Sequence, residues 1–322
     1  MKILFTGDWH LRGNNPRNRA DDYKEAAKEK LREVFKIAVD NEVTAILQPG
    51  DIFHSPEVSI QTLLEFTNVL KECPVPIYTT VGNHDVFGYN LETYGRTSLQ
   101  LLKLLVPRFS VCAVNVHETI LTDKYGGNVY VSFQPYISKI DVNGFGYMLE
   151  ESKYGSSMPT IHVVHGMLLD HNLPYEARFT NLYEVETNAD IILSGHDHVG
   201  YGVIKRKDGK LFCNPGALMR ISASEAEMTR PIQVALVDTD KLDIELIPLK
   251  CARPGNEVLD RTRIEENVDR QYAMEEFTGL VQSGTGVAGM NIPEIIEKIG
   301  KQENIPAEVV SKAIELLKGE EK

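Results

Sequence analysis

The first eighty residues alternate between two hydrophobic periods. Short apolar runs at 2–6, 43–47 and 77–81 each stop within three residues at a glycine, which predicts three buried strands. Between these runs, apolar side chains recur at helical spacing over 22–39 and 59–71, which predicts two amphipathic helices. The order β-α-β-α-β predicts parallel strands joined by right-handed crossovers.

Further apolar runs follow at closer spacing in the later part of the chain. The later of these runs are closely spaced with no helical period between them, so we predict antiparallel pairing there. The predicted strands lie at 110–116, 128–133, 160–164, 189–194, 201–205, 210–213, 232–237 and 243–247.

The last fifth of the chain has a different pattern. Arg253-Pro254-Gly255-Asn256 predicts a linker, so we expect one domain over 1–254 and a helical segment over 255–322. The apolar faces of the last two predicted helices either pack on their own domain or dock on a partner. Helical periods cover 264–282, 292–300 and 305–318, with a glycine-rich break at 283–289.

Composition and charge narrow the class of protein. The 322 residues are 42% hydrophobic and 25% charged, which excludes a disordered or collagen-like chain. No apolar run approaches the ~20 residues of a membrane-spanning helix, and Asp8 interrupts any secretion signal at the start. The four cysteines form no Cys-x-x-Cys pair, which indicates reduced thiols in a cytoplasmic protein. The net charge of −12 argues against a large nonspecific nucleic-acid surface, although cations bound at an acidic site reverse the local sign.

Histidine and aspartate concentrate in five short segments, each directly after a predicted strand. Because the carboxyl ends of strands in open α/β sheets meet at one crevice, we expect these segments to converge. Side chains at i and i+2 of an extended chain point to the same side, so Asp8 pairs with His10, and His196 with His198. The segments are Gly7-Asp8-Trp9-His10, Gly50-Asp51-Ile52-Phe53-His54, Gly82-Asn83-His84-Asp85, His165-Gly166 and Gly195-His196-Asp197-His198.

These side chains have the composition of a two-metal site. Carboxylate, amide and imidazole ligands without thiolate suit Mn, Fe or Zn better than Mg or Ca. Their number exceeds the ligands of one metal, which indicates two metals with Asp51 as the bridge. Two such cations activate a water and stabilise both oxygens of an in-line displacement at phosphorus. His84 then lies where a general acid is needed for the leaving oxygen.

The five motifs, in this order from residue 8 to residue 198, resemble those of the calcineurin-like metallophosphoesterase superfamily. Within it, Thr6-Gly7-Asp8-Trp9-His10-Leu11 and the motif from Gly50 to His54 are most similar to the SbcD family. Members of that family are nuclease subunits of double-strand-break processing complexes. Five motifs in order are far more specific than any one of them.

The resemblance implies a fold, a set of ligands and partners. The implied fold is a four-layer α/β/β/α sandwich of two stacked sheets, followed by the small helical segment. The implied activity is Mn²⁺-dependent exonuclease and endonuclease action on DNA in repair and recombination. The implied partner is an SbcC-like SMC-type ATPase, and a homodimer is also compatible with the resemblance. When the motifs are matched to those of the family, the ligands of the first metal are Asp8, His10, Asp51 and His198. Those of the second metal are Asp51, Asn83, His165 and His196. His84 would be the catalytic histidine, with Asp85 as its orienting partner and His54 near the scissile phosphate.

Substrate contacts are expected from arginines around the crevice. Arg12, Arg17 and Arg19 follow the first motif and either track phosphates or form an ordinary solvated loop. Arg220 is a further substrate-binding prediction. Asn214-Pro215-Gly216-Ala217 departs from the family pattern Pro-Gly-Ser, which puts one phosphate-contacting hydroxyl in doubt.

Three other functions stay open on the same motifs. A phosphoprotein phosphatase of this superfamily usually has Asp-Arg at the end of the second motif and Glu at the end of the third, where this chain has His54 and Asp85. A phosphodiesterase acting on small molecules or cyclic nucleotides is harder to separate. A non-catalytic scaffold typically loses the ligands or the catalytic histidine, and this chain has both.

Overall fold

A computed structural model describes most of the chain. It covers residues 1–112, 118–149, 158–173 and 175–262, together with residues 297, 300, 307 and 309–311. The chain divides into two compact units, Met1–Asp260 and Arg261–Lys322. The predicted linker lies inside the first unit, where Gly255–Val258 is helical.

The elements of the first unit begin with the predicted β-α-β-α-β order. In chain order they are β1 Lys2–Phe5, α1 Tyr23–Asp40, β2 Ile46–Gln48, α2 Ile60–Lys71, β3 Ile77–Thr79, α3 Ser98–Leu105, β4 Phe109–Val111, β5 Glu118–Thr122, β6 Asn128–Gln134, β7 Thr160–Gly166, β8 Leu168–Leu169, β9 Thr180–Asn181, β10 Ile191–His196, β11 Gly202–Lys205, β12 Leu211–Asn214, α4 Glu225–Thr229, β13 Gln233–Asp238, β14 Asp243–Pro248 and α5 Gly255–Val258. Short 3₁₀ turns occur at Phe87–Tyr89, Leu91–Arg96 and Val142–Gly144.

Two six-stranded sheets form the centre of this unit. The first has the order β14-β13-β1-β2-β3-β4, and β1 to β4 are parallel. The second has the order β11-β12-β10-β7-β6-β5. Antiparallel pairing was expected among the later, closely spaced strands, and the pairs β11–β12 and β13–β14 confirm it. The pairs β6–β7, β7–β10 and β10–β12, however, are parallel. The prediction is wrong for the later pair β10–β12, because no helical period between these strands indicates a crossover.

The core lies between the sheets and on their outer faces. Alternation along β1 sends Ile3 and Phe5 toward the second sheet and Leu4 toward the layer that contains α1 and α2. The outer face of the second sheet is covered by Ile140 and Tyr147 from irregular chain. The two-sheet α/β sandwich expected from the motifs is confirmed.

The helices α1 and α2 form where the periodicity predicts them. Asp22 caps α1 by accepting the Glu25 amide, and Ser59 caps α2 by accepting the Thr62 amide. The helix α3 and the strand β5 were not predicted. Among the described residues, no helix has the length and apolar character needed to cross a membrane.

The second unit is described at only eight residues, 261, 262, 297, 300, 307 and 309–311. The predicted helix 264–282 and the glycine-rich break 283–289 lie outside the described residues, as does most of 292–300 and 305–318. Residue 261 is irregular, and the other seven are helical. Gly300 is buried, and a Cβ there would overlap the side chain of Val310, so these two residues pack directly against each other.

Candidate metal centre

Four of the predicted ligands meet beyond the carboxyl ends of β1, β2 and β10. The ligand atoms of Asp8, His10, Asp51 and His198 all lie within 4.8 Å of one another. His10 Nε2 is 2.9 Å from His198 Nε2 and 3.5 Å from Asp51 Oδ2. Two ring nitrogens at that distance, beside two carboxylates, form a set of donors that one cation can occupy.

A second cluster lies on the other side of Asp51. The ligand atoms of Asp51, His165 and His196 also lie within 4.8 Å of one another. Asn83 Oδ1 is 2.9 Å from His165 Nε2, which adds the amide oxygen to this group. Asp51 Oδ2 is 3.6 Å from His165 Nε2, so the same oxygen that faces His10 also faces the second cluster. The structure therefore places Asp51 between two groups of ligands, as expected of a bridge.

Three of these ligands have a left-handed backbone. The φ angles of His10, Asp51 and His196 are 47°, 53° and 75°. Non-glycine residues in this region are uncommon and cost of order 1–3 kcal/mol each, and they are typical of functional sites. The fold therefore holds these three side chains in place against a local preference of the chain.

Two glycines allow the ligand loops to pack directly on the carboxylates. A Cβ at Gly82 would overlap Asp51 Oδ1 and the Asp51 backbone nitrogen, and a Cβ at Gly195 would overlap Asp8 Oδ1. Because the overlap at Gly82 involves backbone, a side chain there cannot be accommodated by rotating a neighbour. The glycines before the ligands are thus needed for close approach.

Burial disfavours charge on both kinds of ligand. It raises the pKa of the Asp8 and Asp51 carboxyls well above the usual range, and neighbouring carboxylates add to this effect at Asp51. It also lowers the pKa of His196 to about 4 and of His198 to about 3. A bound divalent cation reverses the preference of the carboxyls, because it stabilises their ionised form, and it reinforces that of the imidazoles, because it binds the neutral ring.

Unpartnered atoms in the site fit divalent metals. Asp8 Oδ1 and Asp51 Oδ2 are buried and accept no hydrogen bond from the protein. The ring of His165 is oriented by its Nδ1, which donates to the Pro49 carbonyl over 2.9 Å and leaves the Nε2 lone pair toward Asp51. Oxygen and imidazole donors that lack protein partners are the expected first coordination sphere of two metals.

His84 lies beside the first cluster. Its ring centroid is 4.9 Å from that of His10, and its Nδ1 donates to the His54 carbonyl over 2.9 Å. Nε2 is then the ring nitrogen left for proton transfer. The backbone amide of His84 donates to Asp51 Oδ1 over 2.8 Å, which joins the third motif to the bridging ligand.

The orienting role predicted for Asp85 is not what the structure shows. Asp85 Oδ1 accepts the Phe53 amide over 3.2 Å and Oδ2 accepts the Gly82 amide over 2.9 Å. Burial raises the pKa of Asp85 to about 7 despite these hydrogen bonds. Asp85 therefore joins the loops after β2 and β3, and the acceptor that orients the His84 ring is the backbone carbonyl of His54.

Comparison with known proteins identifies the family. The model of the calcineurin-like phosphoesterases matches residues 1–200. The chain belongs to this family.

A double-strand break repair protein MRE11 from Encephalitozoon cuniculi is 24% identical over 88% of this chain and 53% of its own length. A DNA double-strand break repair protein Mre11 from Methanosarcina mazei is 37% identical over 26% of this chain and 14% of its own length. Exonuclease subunit 1 of phage T4 is 30% identical over 32% of this chain and 30% of its own length. The chain thus spans about half, or less, of the curated relatives that it matches.

The predicted substrate arginines of this phosphoesterase divide into two groups. Arg12 is half-buried and donates to Asn14 Oδ1. Burial of His54 lowers the pKa of that imidazole to about 4, and the positive charge of Arg12 is the second cause of this shift. It therefore lies close to the site, and Arg17 is exposed on the same loop.

Arg19 and Arg220 have other partners. Arg19 is buried and donates twice to the Asp21 carboxylate, at 2.7 Å each. Arg220 is buried and donates to the backbone carbonyls of Glu227 and Arg230. The structure does not bring these two guanidinium groups to the crevice, so the substrate-binding roles predicted for them do not fit.

Some residues at the phosphoesterase site were not predicted. The ring centroid of Tyr136 is 5.7 Å from that of His196. Tyr136 comes two residues after β6, so the strand-end rule that found the other ligands would also have found it. Met167 and Ser222 line a cavity of about 350 Å³ beside His84 and His198. Neither residue belongs to one of the five motifs, and only the folded chain brings them next to His84 and His198.

Proposed function

We propose that this chain is a Mn²⁺-dependent phosphodiesterase that cleaves DNA, as an SbcD-like nuclease subunit. The observation that carries the proposal is the pair of ligand clusters that share Asp51, with His84 beside them. DNA as substrate is supported by relatives that are named for double-strand break repair or as an exonuclease. Imidazole and oxygen ligands without thiolate support Mn²⁺, Fe²⁺ or Zn²⁺, and the SbcD resemblance favours Mn²⁺.

The residues would divide the work of hydrolysis as follows. Asp8, His10, Asp51 and His198 would hold one cation, and Asp51, Asn83, His165 and His196 the other. Such a pair supplies a nucleophilic water at neutral pH and neutralises charge on the phosphoryl oxygens. His84, protonated and oriented by the His54 carbonyl, gives its Nε2 proton to the leaving oxygen as the phosphorus–oxygen bond breaks. Arg12 adds positive charge at the rim, where the strand backbone would pass.

A paired assay with purified protein and Mn²⁺ tests this function. One arm offers linear duplex and single-stranded DNA, and the other offers a phosphomonoester and a cyclic nucleotide. We expect DNA cleavage that is lost with EDTA and with His84→Ala. The matched control is His171→Ala, because that histidine is exposed and pairs with Asp170. Hydrolysis of only the small esters would contradict the DNA assignment and favour the small-molecule phosphodiesterase, with the same fold and metal site.

Two assemblies belong to the proposal. The helices of residues 255–322 would dock on an SbcC-like SMC-type ATPase, and unchanged binding after deletion of this segment would contradict that role. A homodimer is supported by an exposed apolar surface on α2 and α3. Its side chains are Ile60, Leu64, Leu101 and Leu104, which are 77%, 50%, 50% and 70% exposed.

A further inference from the structure

Two tyrosine rings form a row that runs from the second ligand cluster to the protein surface. The ring centroid of Tyr136 is 5.7 Å from that of His196 and 6.3 Å from that of His165. The ring centroid of Tyr89 is 6.1 Å from that of Tyr136. Tyr136 is half-buried, whereas Tyr89 is 60% exposed. One end of the row therefore lies at the metal ligands and the other end lies in solvent.

The backbone under Tyr89 is unusual. Its φ angle is 58°, and Gly88 before it has a φ of 56°. A bulky residue in the left-handed region is a genuine outlier. The exposed ring is not held there by burial, so packing does not explain the conformation. Outliers of this kind cluster at ligand-binding sites, where they orient a side chain.

The turn that carries Tyr89 is held by hydrogen bonds, and an arginine from the next turn packs on it. The Phe87 amide donates to Thr93 Oγ1 over 2.9 Å, and the Asn90 amide donates to the Phe87 carbonyl over 3.1 Å. The Arg96 guanidinium lies 5.0 Å from the Phe87 ring centroid. The turn therefore has an exposed aromatic ring at Tyr89 and a cation packed on the ring of Phe87, two residues away. Base stacking and backbone neutralisation are the two components that bind single-stranded nucleic acid.

We propose that Tyr89, with Tyr136 between it and the ligands, is a stacking platform for an unpaired base next to the scissile phosphate. The substrate class is then a single strand or a frayed end, because a base inside a duplex is already stacked on its neighbours. Stacking on an aromatic ring tolerates every base, so the platform positions the strand without selecting a sequence. This inference rests on the proposed function, and it names the form of DNA that the site takes.

A substrate–protein double-mutant cycle tests the platform. Cleavage of a single-stranded oligonucleotide is compared for the unmodified protein, Tyr89→Ala and Tyr89→Phe. The oligonucleotide carries either all its bases or one abasic residue, placed in turn at each position near the cut. Tyr125→Ala is the matched control, because Tyr125 is 84% exposed and lines a surface pocket with Met1, at the opposite end of β1 from Asp8. Thermal unfolding confirms that each variant is folded.

We expect Tyr89→Ala to lower kcat/KM on the complete strand by about 5- to 150-fold, the range of one aromatic–base stack. Tyr89→Phe keeps the ring and retains the rate. The loss caused by Tyr89→Ala disappears when the abasic residue occupies the stacked position, because the two changes remove the same contact. Additive losses at every abasic position would overturn the platform.

A binding measurement separates this inference from the proposed function. Fluorescence anisotropy of a labelled single strand is followed with Mn²⁺ in a His84→Ala background, with and without Tyr89→Ala. Tyr89-dependent binding in this background, together with no DNA cleavage by the protein that retains His84, would remove the nuclease assignment and keep the platform. DNA cleavage and binding that are both unaffected by Tyr89→Ala would keep the nuclease and remove the platform.

Discussion

Removal of the His84 ring is expected to stop cleavage and leave the metal site intact. The ring is hydrogen-bonded to a backbone carbonyl, and the bond from residue 84 to Asp51 comes from the backbone amide, which alanine retains. His84→Ala therefore deletes a proton donor without moving the bridging ligand. A missing general acid costs about 10²–10⁴-fold in rate, which corresponds to ~3–5 kcal/mol of transition-state stabilisation.

The leaving group decides whether His84 donates a proton. We would measure kcat/KM for a DNA strand and for a nucleotide 4-nitrophenyl ester, with the metal content of each sample. The alkoxide that leaves from DNA needs a proton, whereas 4-nitrophenolate does not. The loss is therefore expected to be large on DNA and small on the ester, at full metal content. Equal losses on both substrates, or loss of a metal, would refute the general-acid role.

His54→Ala is the matched variant. It removes the imidazole that stacks on His84 at a centroid distance of 5.3 Å, but it keeps the carbonyl that accepts from His84 Nδ1. We expect a smaller loss on DNA than for His84→Ala. A loss as large as that of His84→Ala would mean that the His54 side chain, and not its carbonyl, sets the position of the catalytic ring.

The remaining predictions concern the bridge, a buried histidine and the dimer. Asp51→Asn is expected to abolish binding of both metals. In EDTA it is expected to raise Tm, because burial and nearby Asp8 raise the pKa of Asp51 and make its ionised form unfavourable at neutral pH. Retained metals, or a lower Tm in EDTA, would contradict this. Burial lowers the pKa of His162 from 6.5 in the unfolded chain to about 4 in the folded protein. Its contribution to the free energy of unfolding is therefore complete above pH 6.5, and ~3 kcal/mol of it is lost as pH falls to 4. Urea unfolding in EDTA at several pH values should show a smaller acid loss for His162→Gln, and an unchanged loss would refute the assignment. Leu104→Glu is expected to convert a dimer to a monomer in light scattering, and an unchanged mass would exclude this surface as the interface.

The ligands were predictable because they obey a rule of position. Asp8, Asp51 and His165 each lie within a few residues of the carboxyl end of a parallel strand, and residue type with strand order was enough to bring them together. The charged stretch 205–210 likewise has the pattern of a hairpin turn, and it joins β11 to β12. Strand alternation turns His162 away from His165, and its ring contacts the Gly146 carbonyl instead of the ligands.

Features that depend on side-chain direction or on distant partners were not predictable. Asp85 is adjacent to His84 in sequence, but its oxygens turn to the amides of two loops. The sequence around Arg19 is typical of a surface loop, but in the structure Arg19 is buried and paired with Asp21. The helix α3 has leucines on both its buried and its exposed sides, so its sequence shows no clear helical period.

The position of β1 has a consequence for synthesis of the chain on the ribosome. β1 pairs with β2 on one side and with β13 on the other, and the Met1 amino group contacts Asp240, 239 positions away. At about 5–20 residues per second, on the order of ten to fifty seconds pass before the second partner of β1 emerges. During that interval an apolar strand edge stays open to other nascent chains. We therefore expect a high contact order, slow refolding and a need for chaperones that shield this edge until translation has passed β13.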